Sequence, residues 1–275
     1  MPGKWAICLG RVFLVASLPI GFSLPAHANT PTAQALLLDG IQKMDQAYNL
    51  WQAGAFQEAV EVFKRAEEAE PGNYLTDYWQ GAALFYLASY YLHAREQDRN
   101  QHQGESTVDE GIRVLTRAIE RNPAYSESFA LRGVLRGMKI KLNTWAVFSH
   151  GPGVQSDRDQ ALNLNPDNPR VHYLTGVSLW MSPEIFGGGA KQALAHFLKA
   201  EELFEAEAGK KHPPLDPAWG YSTCLSFIGD VYAKQGEWQQ AYRYYQKSLM
   251  ANPQDQRAQE GLDRISRQGE SSQEE

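Results

Sequence analysis

The 275-residue sequence predicts an all-α protein, an α-α superhelix (solenoid) of about five helix pairs closed by a C-terminal capping helix. Three observations carry that prediction. Small and aromatic residues recur in the same order at a period of roughly 34 residues. Apolar side chains fall three and four apart, the spacing of one helix face. Prolines mark the ends of the pairs, where the residue before a proline is steered out of the helical region. With 43% hydrophobic and 11% aromatic residues the composition is that of a globular chain, and its length can bury a core without disulfides or metal.

Residues 1–28 read as a secretory signal rather than part of the fold. Lys4 and Arg11 carry its positive charge, residues 12–24 form an apolar run broken by Ser17, Pro19, Gly21 and Ser23, and Ala26-His27-Ala28 supplies the small-x-small cleavage pattern. The run is shorter than the ~20 residues that cross a bilayer. Cleavage after Ala28, a periplasmic or secreted mature chain and no membrane span after cleavage are therefore expected.

Residues 29–267 form the repeat domain. The first pair, at about 40–73, is carried by Ala47, Leu50, Gly54, Phe56, Ala59, Phe63, Ala66 and Pro71. In the second, about 74–125, Leu75, Tyr78, Trp79, Ala82, Tyr86, Ser89 and Tyr90 support one long helix, the polar stretch 96–106 reads as a loop, and Leu115, Ala118 and Pro123 mark the second helix. The third, 126–168, rests on Gly133, Ala161 and Pro166, with His150-Gly151-Pro152-Gly153 read as a loop that interrupts it. The fourth, 169–204, has Gly176, Leu179, Ala193, Phe197 and Ala200; Phe186-Gly187-Gly188-Gly189 lacks the strand and the Lys-Ser/Thr of a phosphate loop and reads as the turn between its helices. A long connector follows at 205–216. The fifth pair, 218–255, sets Leu225, Ile228, Gly229 and Tyr232 on one helix, Gly236 at the turn, and Trp238, Ala241, Tyr245 and Ser248 on the next, ending before Pro253. Residues 256–267 place Ala258, Leu262 and Ile265 opposite Arg257, Glu260, Asp263, Arg264 and Arg267, the two-faced pattern of a terminal cap. The acidic tail 268–275 reads as disordered.

The Gly-turn-Ala-aromatic-Ala-Pro order resembles the tetratricopeptide repeat, closely in the first and last copies. That resemblance implies a scaffold whose first helices line a concave groove for a protein or peptide partner. Carried onto this sequence, the groove-facing positions are Met44, Tyr48 and Trp51, then Tyr78, Ala82 and Phe85, then Ala130 and Val134, then Tyr173, Val177 and Trp180, and Ser226, Asp230 and Lys234. The aromatic members Tyr48, Trp51, Tyr78, Phe85, Tyr173 and Trp180 are the expected partner contacts; in the first four copies only Arg136 and Arg170 could donate to a peptide carboxylate, so an acidic C-terminal peptide is not the expected ligand.

Composition and motifs narrow the function further. The net charge of −6 becomes −8 once Lys4 and Arg11 leave with the signal, which argues against nucleic acid as a partner. The mature histidines are His93, His102, His150, His172, His196 and His212, and no two have a zinc-helix spacing with a third ligand nearby, so no metal or other cofactor is expected. No nucleophile motif stands out. Cys224, on an apolar helix without a basic neighbour, reads as a small buried side chain. The expected function is a non-catalytic protein-interaction scaffold in the periplasm, and the alternative is a hydrophobic small-molecule carrier associated with solute transport.

Overall fold

The computed structural model describes residues 31–93, 98–211 and 213–271, and the expected signal peptide lies outside them. Within residues 31–271 there are eleven α-helices and two short 3₁₀ turns, with no strand among the described residues. The helices pair as α1 (Ala33–Leu50) with α2 (Ala53–Ala69), α3 (Tyr74–His93) with α4 (Asp98–Arg121), and α5 (Ser126–Leu142) with α6 (Val147–Leu164). Two more pairs follow, α7 (Pro169–Met181) with α8 (Ala190–Glu207) and α9 (Tyr221–Lys234) with α10 (Trp238–Ala251), and α11 (Gln256–Ser271) covers the end.

The period in the sequence is a packing rule. In four pairs a glycine of the first helix faces a bulky side chain of the second: Gly40 against Phe63, Gly81 against Leu115, Gly176 against Phe197 and Gly229 against Tyr245. A Cβ at any of them would drive into that side chain, so glycine lets the two axes approach. The second helices of pairs two, three and five end at Asn122, Asn165 and Asn252, each followed by proline, and each Asn Oδ1 accepts the backbone N–H two residues on. These Asx turns stop the helix and aim the chain at the next pair.

Three expectations about segments change. The stretch 98–106 is the start of α4 rather than a loop. Its apolar positions Val108, Val114, Leu115 and Ala118 are buried against α3 and α5, and tertiary packing carries the helix through its polar first turns. The Gly-Pro-Gly segment likewise lies inside α6, with Pro152 within the helix. Asp157 of α6 holds it to α5 by ion pairs to Arg132 and Arg136, each at 2.7 Å, and Arg136 also donates to the Gly153 carbonyl at 3.2 Å. The hydrogen bond forfeited at Pro152 is outweighed by these contacts. Helix α11 continues to Ser271, into the tail expected to be disordered; residues 272–275 lie outside the description. Gly187 (φ 77°) and Gly236 (φ 78°) make the turns the sequence assigns to them, in backbone that an L side chain adopts only with strain.

Candidate functional site: a cationic trough beside a filled inner face

The inner face at the middle repeats is filled by the chain itself. After α8, the connector lays Leu215 against α3 and Trp219 against α3 and α7, with Pro217 buried between them in sequence. The Trp79 indole donates to the Leu215 carbonyl at 3.0 Å, and the Trp219 indole donates to the Tyr78 hydroxyl at 3.0 Å. Trp219, 7% exposed, meets Phe85, Tyr86 and Tyr173 with ring centroids 6.4, 5.7 and 6.2 Å away. Tyr78, Phe85 and Tyr173 are consequently core residues, not partner contacts, and Ala82, Ala130, Val134, Val177 and Ser226 are buried with them.

The two expected carboxylate donors are also spoken for. Arg170 is buried between Glu127 at 2.9 Å and Glu207 at 3.1 Å, in a network that Tyr78 joins by donating to Glu127 and Asn168 by donating at 2.8 Å. Arg136 is bound by the buried Asp157 of α6. Both arginines bind neighbouring helices, so the reading of them as groove donors is corrected.

At the ends of the repeat array the picture differs, because the first repeat closes onto the last. Thr223 donates to the Tyr48 hydroxyl at 2.9 Å, and Tyr48 donates to Asp255 at 2.7 Å. Burial, reinforced by Asp255, pushes the Tyr48 hydroxyl well above its ordinary pKa, so it stays a donor. Asn252 Nδ2 donates to Asn49 Oδ1 at 3.0 Å, and His93 lies 3.2 Å from Glu260. Asp255 is fully buried and also accepts from Ser226 and from the Ala258 backbone, which makes it the N-cap of α11 as well as the latch.

A trough runs from this closure along α11. At one end a small cavity of about 110 Å³ is lined by Tyr48, Trp51, His93, Arg257 and Glu260. It shares Asp230 and Arg264 with a shallower apolar cavity of about 450 Å³ lined by Trp180, Ala233, Lys234, Trp238, Ile265 and Arg267. Trp51, which ends α1, is the one non-glycine residue with positive φ (47°) among the described residues. Its ring packs on Tyr48 and Phe56 at 6.0 and 5.7 Å, which holds this uncommon backbone in place. Trp180 stays partly open beneath the Lys234 ammonium, 4.7 Å from its ring.

The chemistry of the trough is positive and aromatic. Asp230 pairs with both Arg257 and Arg264 and so cancels one charge of two. Lys234 and Arg267 have no carboxylate partner among the described residues. The balance favours a ligand that brings carboxylates together with an apolar or aromatic side chain.

Of the sequence-predicted contacts, the structure leaves Tyr48, Trp51 and Trp180 along this trough and withdraws Tyr78, Phe85, Arg136, Arg170 and Tyr173. Arg257, Arg264 and Arg267 were legible only as the polar face of a cap, and Trp238, placed by the sequence on the second helix of the fifth pair, is 40% exposed at the rim. Elsewhere, His172 and His196 meet with Nδ1 atoms 3.1 Å apart although 24 residues separate them. Among the described residues no three His, Cys, Asp or Glu side chains cluster as a metal site, and no helix is long and apolar enough to cross a membrane. Cys224 is buried, with its thiol pushed up in pKa by that burial and then by Glu201.

The comparisons with known proteins agree with this architecture. The tetratricopeptide repeat model matches residues 222–255. Among solved structures, the HusA haemophore from Porphyromonas gingivalis is 22% identical, with a TM-score of 0.57 over 75% of this chain and 96% of its own. A thermophilic tetratricopeptide-repeat protein of Thermus thermophilus is 17% identical, with a TM-score of 0.55 over 86% of this chain and 97% of its own. No curated protein sequence matches the chain.

Proposed function

We propose that this chain, whose residues 222–255 match the tetratricopeptide repeat model and whose fold is shared with tetratricopeptide-repeat structures, is a non-catalytic interaction scaffold whose ligand is an acidic, aromatic-bearing segment of a partner protein, held in the trough along α11. The observation that supports this most is the pairing of unneutralised cations, Lys234 and Arg267, with the open tryptophans Trp180 and Trp238. Aromatic anchors in a partly desolvated pocket supply most of a typical hot spot, and the flanking charges steer and orient the incoming segment. The three-part signal pattern of residues 1–28 supports an exported protein, so the partner belongs to the periplasm or the cell exterior.

The alternative of an enclosed apolar ligand has less to stand on. The inner face is occupied by Trp219, and the cavity at the closure, of about 110 Å³, is lined by two arginines, a histidine and two carboxylates.

Selection of binders from a random peptide library, followed by binding measured against rising salt, tests the proposal. Enriched peptides should carry Asp or Glu beside Trp, Phe or Tyr, should weaken as salt rises, and should lose about tenfold or more of their affinity to a Trp180→Ala, Lys234→Ala double variant that melts normally. Enriched peptides that bind this variant as well as the wild type would remove the trough from the account.

A further inference from the structure

The turns that join one helix pair to the next are polar: Pro71-Gly72-Asn73, Asn122-Pro123, Asn165-Pro166-Asp167 and Asn252-Pro253-Gln254. The turns inside the third and fourth pairs, at the other end of the helices, are apolar. Among the described residues five large apolar side chains are at least 65% exposed, and four of them stand here: Trp145 (80%) and Phe148 (78%) where α5 passes into α6, Ile185 (85%) and Phe186 (65%) between α7 and α8. The fifth, Met250, lies at the far end of α10. The two turns are neighbours, because α5 and α7 run side by side in the same direction. Their starts meet through Glu127 and Arg170 at 2.9 Å, and near their ends a Cβ on Gly137 would meet the Met181 methyl at 3.5 Å. Backbone bonds hold both turns in shape. Asn143 Oδ1 accepts the Trp145 N–H at 3.2 Å, Gly188 donates to the Pro183 carbonyl at 3.2 Å, and Gly189 donates to the Leu179 carbonyl at 2.9 Å. The apolar side chains are thus held outward, Trp145 and Phe148 stacked on each other with centroids 6.3 Å apart. Charge is ordered around them. Neither 142–149 nor 185–190 contains a charged residue, and an exposed lysine stands directly behind each stretch, Lys141 before the first and Lys191 after the second, with Glu184 the one adjoining acid. At the opposite edge Glu67, Glu68 and Glu70 lead into one joining turn, and Asp167 lies in another.

We propose that the edge formed by these two turns is a peripheral docking site for an anionic lipid surface. Trp145, Phe148, Ile185 and Phe186 enter the headgroup layer, and Lys141 and Lys191 remain at its surface. Interfacial binding grows with the apolar area buried and with attraction between basic residues and anionic lipids, and tryptophan is favoured at that depth. A lysine one step behind each apolar tip can lay its stem along the acyl boundary and keep its ammonium among the phosphates. The acidic opposite edge turns the protein to approach a negative surface this way round. A protein partner fits less well. Interface anchors fill matched pockets, whereas these side chains project from two convex turns outside the trough, and a fluid bilayer needs no matching shape. The contact needs no spanning helix and is independent of the segment proposed for the trough.

The test uses the mature protein, residues 29–275, so that the apolar run 12–24 cannot contribute. Sedimentation with vesicles of phosphatidylglycerol and phosphatidylethanolamine should carry the protein down, and pure phosphatidylcholine vesicles or raised salt should carry down less. A Trp145→Ser, Phe186→Ser double variant should partition about tenfold more weakly or worse, and should melt with the wild type because both rings are exposed. Brominated acyl chains should quench part of the tryptophan fluorescence in the wild type, and that part should be lost in Trp145→Phe, which still sediments. No sedimentation with anionic vesicles, undiminished sedimentation of the double variant, equal binding to phosphatidylcholine, or quenching unchanged in Trp145→Phe would each overturn the proposal. A wild-type dimer in analytical ultracentrifugation that the double variant lacks, without vesicle binding, would also overturn it and give the patch to a second copy.

Discussion

Replacing Trp219 by alanine tests the central claim about the inner face, namely that the connector is part of the core. The indole is 7% exposed and touches Phe85, Tyr86 and Tyr173, three rings held on α3 and α7 that cannot collapse into the space it leaves. Truncating a buried tryptophan removes its transfer free energy and leaves a cavity, together about 3 to 5 kcal/mol. The indole N–H bond to Tyr78 adds little, because the Tyr78 hydroxyl keeps its own acceptor in Glu127. For a domain of this size each kcal/mol lowers the melting temperature by about 2 to 4 °C, so Trp219→Ala should melt roughly 6 to 20 °C lower. Thermal and urea unfolding followed by circular dichroism measure this directly. Trp145→Ala is the control: that ring is 80% exposed, and its loss should change stability by no more than about 0.5 kcal/mol. A Trp219→Ala protein within about 1 kcal/mol of wild type would refute the packed connector, and with it the argument that Tyr78, Phe85 and Tyr173 are unavailable to a partner.

Two further expectations concern the cap and the histidine pair. A Cβ on Gly261 would overlap the Tyr245 ring, so Gly261→Ala should push α11 off α10 at a cost of about 1 to 3 kcal/mol in urea unfolding, whereas Gly54→Ala, with nothing within 4 Å of its Cβ, should be neutral or slightly stabilising. His172 donates from Nε2 to the Pro166 carbonyl at 2.8 Å, which makes its Nδ1 the acceptor for His196 at 3.1 Å. Burial, His172 and Arg158 together lower the His196 pKa to about 4. The unfolded chain therefore binds the extra proton first, and stability is fully present above the ordinary histidine pKa and declines as pH falls from there toward about 4. Screening of the part-exposed ring limits the loss to roughly 1 to 2 kcal/mol. Urea midpoints should fall between about pH 7 and pH 5 in the wild type and less in His196→Gln; an identical fall in both would remove the pair from the explanation.

Much of the fold was readable because its rule is local and repeated. Gly81, Gly176 and Gly229, each about one turn from large apolar residues and followed about 15 to 35 residues later by a bulky partner, define helix pairs whatever else the sequence does. The elements misread were those governed from elsewhere. The Gly-Pro-Gly segment looks like a loop until Asp157 and Arg136 are seen to hold it against α5. The polar opening of α4 looks like a loop because the one residue it buries before Thr107 and Val108 is Gly104, which brings no apolar side chain to the pattern. The site was harder still. Position within a repeat tells which residues face inward, but not whether that inward space is empty. Tyr78, Phe85 and Tyr173 face inward as their repeat positions imply, and Trp219, which occupies the space, sits in a connector that follows no periodicity. The cationic side of the trough was hidden for a related reason: Arg257, Arg264 and Arg267 on an amphipathic cap have the same pattern whether they face solvent or a tryptophan rim.

The closure of the first repeat onto the last changes what the repeat array is for. In an open solenoid each repeat touches only its neighbours, and the inner face is one continuous surface. Here the bond from Tyr48 to Asp255 spans 207 residues and divides that surface. One side is covered by α11 with its arginines, the other is floored by Trp219 and faces Asp45. Two lobes of opposite sign then lie on either flank of a single tyrosine, and neither would exist without both the latch and the connector. The irregular parts of the chain, which a repeat pattern treats as interruptions, are what turn a uniform groove into two chemically distinct places.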